Sequence, residues 1–165
     1  RMDIADRCPR APSPNADAPM EFNAYQQPQA TELRGRECPL PEAEYQPRLK
    51  HLRASMHADG LGAVLLTDPS DLFYLTGYST FEVSVHVALV VTADTLTLQV
   101  PSIETGPAMV TTRVDHVIGY RWEGVGDVLD PLAHALIGHG RKVGVDYWHG
   151  SLRQGVLEGL KPCLL

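Results

Sequence analysis

Seven histidines, 20 acidic residues and three cysteines supply the side chains that a hydrolytic or metal site would use. Their spacing decides what chemistry is open to them. His51, His57, His86, His116, His134, His139 and His149 nowhere show the HxxxH or HExxH interval that sets two imidazoles on one helix face. His134 and His139 are five apart, so a helix would splay them. A cluster of two carboxylates and one histidine assembled in three dimensions stays open, but no metal ligand is assigned. Ser79, Ser84 and Ser102 lack a GxSxG setting. Cys163 follows a proline where a strand is expected, and reads as a small buried side chain rather than a reactive thiolate. Gly124-Val125-Gly126 and Gly138-His139-Gly140 are glycine pairs without the GxGxxG dinucleotide fingerprint. No catalytic residue is assigned.

The unusual stretch is Tyr78-Ser79-Thr80-Phe81-Glu82-Val83-Ser84-Val85-His86. A loop here would expose Phe81 and Glu82, while His86 falls within an apolar run. Two readings stay open. One is a ligand-facing loop and strand edge; the other is a hydrophobic anchor beside a hydrogen-bonded core histidine.

The elements that must position these residues follow from periodicity. Tyr45, Leu49, Leu52 and Met56 form one helical stripe from Glu42, ended by Gly60. Residues 63–67 form a short apolar run that suits a strand buried on both faces. Asp68 or Ser70 caps a short helix over 71–75, stopped by Gly77. Residues 83–91 read as a strand, turned at Ala93-Asp94 into a second strand over 95–100. A short helix over 103–112, interrupted by Pro107, precedes a strand at 116–120. A helix over 125–137, a strand at 142–146, a helix from Ser151 to Leu160 and a final strand at 163–165 complete the order. The pattern predicts an α/β fold: a mixed, mostly parallel sheet with helices on both faces.

Ahead of Glu42, prolines crowd the chain: eight of the 13 lie in residues 1–47. With few branched aliphatics, residues 1–41 read as an irregular or disordered extension. The chain opens on Arg1, and Met20 offers an alternative start. The net charge of −6 speaks against a nucleic-acid partner, which calls for a basic patch. No apolar run reaches the ~18 residues of a membrane span. Cys8, Cys38 and Cys163 are too few and too scattered for a disulfide framework or a zinc knuckle, so a reducing, cytoplasmic setting is expected.

Three segments taken in order resemble a known family. They are Glu44-Tyr45-x-x-Arg48-Leu49-x-x-Leu52-Arg53-x-x-Met56, then Gly60-Leu61-x-Ala63-Val64-Leu65-Leu66-Thr67, then Leu72-x-Tyr74-Leu75-Thr76-Gly77-Tyr78. The ordered set, joined by Lys142-Val143-Gly144-Val145-Asp146, resembles the N-terminal domain of the creatinase/Xaa-Pro peptidase (prolidase) superfamily over residues 42–165. Asp71 stands where the family commonly has Asn, and Gly62 where Asp is frequent. The resemblance implies a ribonuclease-H-like domain without metal ligands of its own. It places catalysis in a following pita-bread domain, absent from this chain, with two Asp, one His and two Glu around a pair of Mn, Co or Zn ions; creatinases use that fold without metal. It further implies a homodimer in which this domain caps the partner's active site, and a small-molecule or dipeptide substrate. Phe81, Glu82 and His86 would then face that substrate in trans, in an arrangement resembling ectoine-hydrolase-like and Xaa-Pro peptidase members. The rival expectations are a non-enzymatic interaction module of the same fold and an inactive truncated fragment.

Overall fold

The computed structural model describes residues 32–80, 82, 84–121, 124–137 and 142–164. A five-stranded sheet lies at the centre. It comprises β1 (Ala63–Leu66), β2 (Ala88–Thr92), β3 (Leu96–Pro101), β4 (His116–Tyr120) and β5 (Val143–Val145). Spatial order is β4-β3-β2-β1-β5. β2 runs antiparallel to both β1 and β3, whereas β4 pairs parallel with β3 and β5 parallel with β1. Four strands therefore share one direction and β2 alone is reversed, which is the mixed, mostly parallel sheet read from the sequence.

Alternation of side chains along the strands makes two cores. Val64, Leu89, Val91, Leu98 and Val100 face one layer, where α1 (Glu42–Ala58), α2 (Pro69–Thr76) and α3 (Thr105–Thr111) pack through Leu49, Met56, Leu72, Leu75 and Ala108. Ala63, Leu65, Ala88 and Val90 face the other, covered by Leu132, Ala133 and Leu136 of α4 (Val125–Leu136) and Val156 and Leu160 of α5 (Gln154–Leu164). Every residue of β2 and β3 is buried, as in strands covered on both faces.

Local signals set the ends of the first elements. Gly60, at φ +67°, and Leu61 donate to the His57 and Met56 carbonyls, the paired bonds of a Schellman stop. The Asp68 carboxylate accepts from Ser70 N at 2.6 Å and starts α2; Gly77 closes it at φ +82°. A Cβ on Gly77 would lie 2.6 Å from the Tyr45 hydroxyl, so glycine is needed there twice over.

Four expectations change. β2 begins at Ala88 rather than Val83, because β1 pairs only as far as Leu66↔Leu89 before Asp68 turns the chain into α2. Pro107 sits in the first turn of α3, where a missing N–H costs little, and a 3₁₀ turn over Ser102–Glu104 precedes it. Ser151 does not start α5, which begins at Gln154; its hydroxyl is engaged by Thr67 and His149. Residues 163 and 164 continue α5 rather than opening a strand.

Of the proline-rich extension, residues 32–41 are described. Gly35 N and Glu37 N donate to the carbonyls of Met109 and Val110 at 3.1 and 3.0 Å, and Arg34 pairs with Asp115 at 2.9 Å. This segment is strapped to α3, so the packed chain begins ahead of Glu42.

Candidate functional site

Because β1, β3, β4 and β5 share a direction, their carboxyl ends and the amino end of β2 meet on one edge of the sheet. In open α/β sheets this is the edge where ligands bind. Thr67 and Asp68 follow β1, Glu104 follows β3, Arg121 follows β4, Asp146 follows β5, and the 78–87 loop leads into β2.

The loop is anchored from below. Tyr78, 1% exposed, donates its hydroxyl to Glu104 Oε2, and Thr80 Oγ1 donates to Oε1 at 3.0 Å. Burial, and then the neighbouring Glu104 carboxylate, hold the Tyr78 phenol far above its usual range. Glu82 stands exposed above this anchor. Its Oε1 accepts from Ser84 Oγ at 2.5 Å and Ser84 N at 3.0 Å, and those bonds draw its carboxyl below the usual range. Among the described residues Oε2 accepts no hydrogen bond. His86 lies in the interior, 4% exposed, with its carbonyl accepting from the Tyr120 hydroxyl at 2.8 Å. Burial, reinforced by the Arg153 guanidinium and partly offset by Gln99, lowers the imidazole to about 4. It is neutral at pH 7.

A second chain of bonds runs along the β1–β5 part of the edge. His149 Nε2 meets Asp68 Oδ2 at 2.8 Å, and His149 Nδ1 meets Ser151 Oγ at 2.9 Å. Ser151 Oγ continues to Thr67 Oγ1 at 2.9 Å. With the imidazole proton on Nε2 toward Asp68, Nδ1 accepts from Ser151. The order resembles a hydroxyl–imidazole–carboxylate relay, but the hydroxyl is also held by Thr67. Its effect is to tie the loop before α5 to the β1–α2 turn. Asp71 lies close by and is raised by burial, then by the Asp68 and Asp146 carboxylates. An Asn at that position would remove the like-charge contact. Among the described residues no three His, Cys, Asp or Glu side chains are grouped to hold a metal ion.

Residues 48–162 match the model of the Creatinase/Prolidase N-terminal domain. The chain belongs to this family. Solved structures share its fold. The creatinase/prolidase N-terminal domain of an X-Pro dipeptidase from Streptococcus pyogenes is 21% identical with a TM-score of 0.59, over 70% of this chain and 86% of that one. A proline dipeptidase from Streptococcus pneumoniae is 25% identical with a TM-score of 0.57, over 70% and 84%. The prolidase from Pyrococcus horikoshii is 22% identical with a TM-score of 0.56, over 72% of this chain but 30% of the longer enzyme. No curated protein sequence matches the chain.

Within this creatinase/prolidase N-terminal domain, the three residues singled out by sequence part company. Glu82 is on the surface, His86 is in the core, and Phe81 lies outside the described residues. Sequence reasoning missed Glu104, Thr80, Arg153 and the Asp68–His149–Ser151 chain. Position just beyond a strand's carboxyl end would have flagged Asp68, Glu104 and Asp146. No helix among the described residues is long and apolar enough to cross a membrane.

Proposed function

We propose that this chain works as the non-catalytic N-terminal domain of a dimeric, cytoplasmic hydrolase of the Xaa-Pro peptidase/creatinase type, acting on small substrates with a scissile C–N bond. The observation that carries the reading is the family match over residues 48–162. In it, the sequence segment that contains Phe81 and Glu82 caps the partner subunit's active site: Phe81 packs against substrate and Glu82 accepts a hydrogen bond through Oε2. His86 supports that loop from beneath. Tyr147 and Trp148, 70% and 99% exposed on the same edge, supply apolar surface for a contact face. Chemistry belongs to the pita-bread domain, where a divalent metal pair would activate water and polarise the carbonyl.

The test is made in the enzyme carrying both domains. Phe81→Ala and Glu82→Ala should each lower kcat/KM about tenfold, equivalent to ~1.4 kcal/mol of transition-state stabilisation, with unchanged melting. The 165-residue chain alone, given Mn²⁺ and Xaa-Pro dipeptides, should show no chelator-sensitive turnover. Unaltered kinetics in both variants would refute the capping role, and turnover by the chain alone would refute the non-catalytic one.

A further inference from the structure

Glu104 is a buried carboxylate with no direct part in the proposed capping contact. It follows β3 and is 2% exposed. Both its oxygens accept, Oε2 from the Tyr78 hydroxyl and Oε1 from Thr80 Oγ1 at 3.0 Å. Burying a carboxylate is costly unless such bonds replace its water, and an apolar side chain in the same space often serves stability as well.

Its bonds begin a chain that reaches the surface. Thr80 Oγ1 carries a single proton and has two acceptors in reach, Glu104 Oε1 at 3.0 Å and the Glu82 carbonyl at 3.3 Å. The carboxylate is the nearer and the stronger acceptor, so the proton points inward. The lone pairs of Oγ1 are then open to Glu82 N, which donates at 3.1 Å. With its backbone held in this way, Glu82 turns its carboxylate onto Ser84, Oε1 accepting from Oγ at 2.5 Å and N at 3.0 Å. Ser84 is held in turn, its carbonyl accepting from the Arg153 guanidinium. Glutamate has much rotamer freedom to lose on ordering, so a carboxylate already set in place meets a donor at lower entropic cost.

We propose that Glu104 is a positioning residue: acting through Thr80, it sets the backbone of Glu82 and thereby the direction of the Glu82 carboxylate. The use of that direction in catalysis rests on the capping reading; the alignment itself does not, and the two are tested apart.

In the 165-residue chain the Glu82 carboxyl is titrated through its side-chain ¹³C signal. Thr80→Val removes the hydroxyl and keeps the Tyr78–Glu104 bond. Glu104→Gln offers Thr80 an amide N–H, which turns the hydroxyl proton outward. In both, the Glu82 carboxyl should rise towards the ordinary glutamate range as its Ser84 bonds loosen, whereas Thr80→Ser should behave as wild type. Leu132→Ala, in the layer on the other face of the sheet, should lower the melting temperature and leave Glu82 unmoved. An unmoved Glu82 in Thr80→Val, or an equal movement in Leu132→Ala, overturns the proposal; Thr80→Val carries the test if Glu104→Gln does not fold. In the enzyme carrying both domains, Thr80→Val should lower kcat/KM about fivefold, or ~1 kcal/mol, and cause no further loss beside Glu82→Ala. An equal loss with and without Glu82 overturns the positioning role. Unaltered kinetics in Glu82→Ala refute the capping reading, while the titration still decides the alignment.

Discussion

His86 makes stability depend on pH in a way that can be worked out. In the unfolded chain its imidazole titrates near 6.5; in the folded chain burial lowers this to about 4. Above pH 6.5 neither state binds the proton, and this residue adds no slope. Between 6.5 and 4 the unfolded state is protonated while the folded state is not, so stability falls as pH falls. Each pH unit is worth about 1.4 kcal/mol, and the whole interval about 3 kcal/mol. At ~2–4 °C per kcal/mol for a domain of this size, melting should drop by roughly 10 °C between pH 7 and pH 4. Carboxylates, Asp71 and Glu82 among them, add their own slopes towards the acid end. The measurement is therefore a difference: melting from pH 7.5 to 4 for the wild type and for His86→Phe, which packs without titrating. The wild-type curve should be steeper by the stated amount, flattening below pH 4. Parallel curves would refute the reasoning, since they would mean that the folded protein protonates His86 as readily as the unfolded one.

Three further outcomes can be checked by urea or thermal unfolding. Gly77→Ala should destabilise by at least ~2 kcal/mol, from a left-handed φ of +82° and a Cβ placed 2.9 Å from Pro39 Cδ as well as against Tyr45; a neutral result would show that the turn rearranges freely. A chain starting at Glu42 should melt several degrees below one starting at Glu32, having lost the Gly35 and Glu37 backbone bonds and the Arg34 pair at about 1 kcal/mol each. Tyr78→Phe should cost ~1.5–3 kcal/mol by removing a hydrogen bond to a buried carboxylate. The same substitution should cost less in a Glu104→Gln background; equal costs in the two backgrounds would mean that the two groups are not coupled.

The elements legible from sequence are those whose limits are written locally. α1, β1 and α2 follow from a helical stripe, a five-residue apolar run, an Asp cap and two glycines at positive φ. β2 was harder because its length is decided by a partner. Val85 and His86 look like strand, yet β1 has already turned away at Asp68. The start of α5 misled for a similar reason: a serine caps a helix only if its oxygen is free, and Thr67, 84 residues earlier, takes part of it. The end of α5 was written in the sequence all the same. Val156, Leu160 and Cys163-Leu164 keep helical spacing, a periodicity that outweighs the apolar Cys-Leu-Leu run.

The site was less legible because no single segment contains it. Tyr78 and Glu104 are 26 residues apart, Asp68 and His149 are 81 apart, and Ser84 and Arg153 are 69 apart. Parallel strand pairing brings them to one edge. What local sequence could flag was the odd composition of the 78–86 loop, and it did so without separating its two kinds of residue. Alternation across a sheet does separate them. Ala88 and Val90 point into the α4–α5 layer and Leu89 and Val91 away from it. The chain leading into β2 therefore meets a covered sheet on both sides, and a histidine two residues before Ala88 is enclosed whichever way it turns. Glu82, four residues earlier, is clear of both layers. The exposure of Glu82 and the burial of His86 thus follow from the layers on either side of the sheet and not from the local sequence, and the inner residue faces a cavity within its own domain.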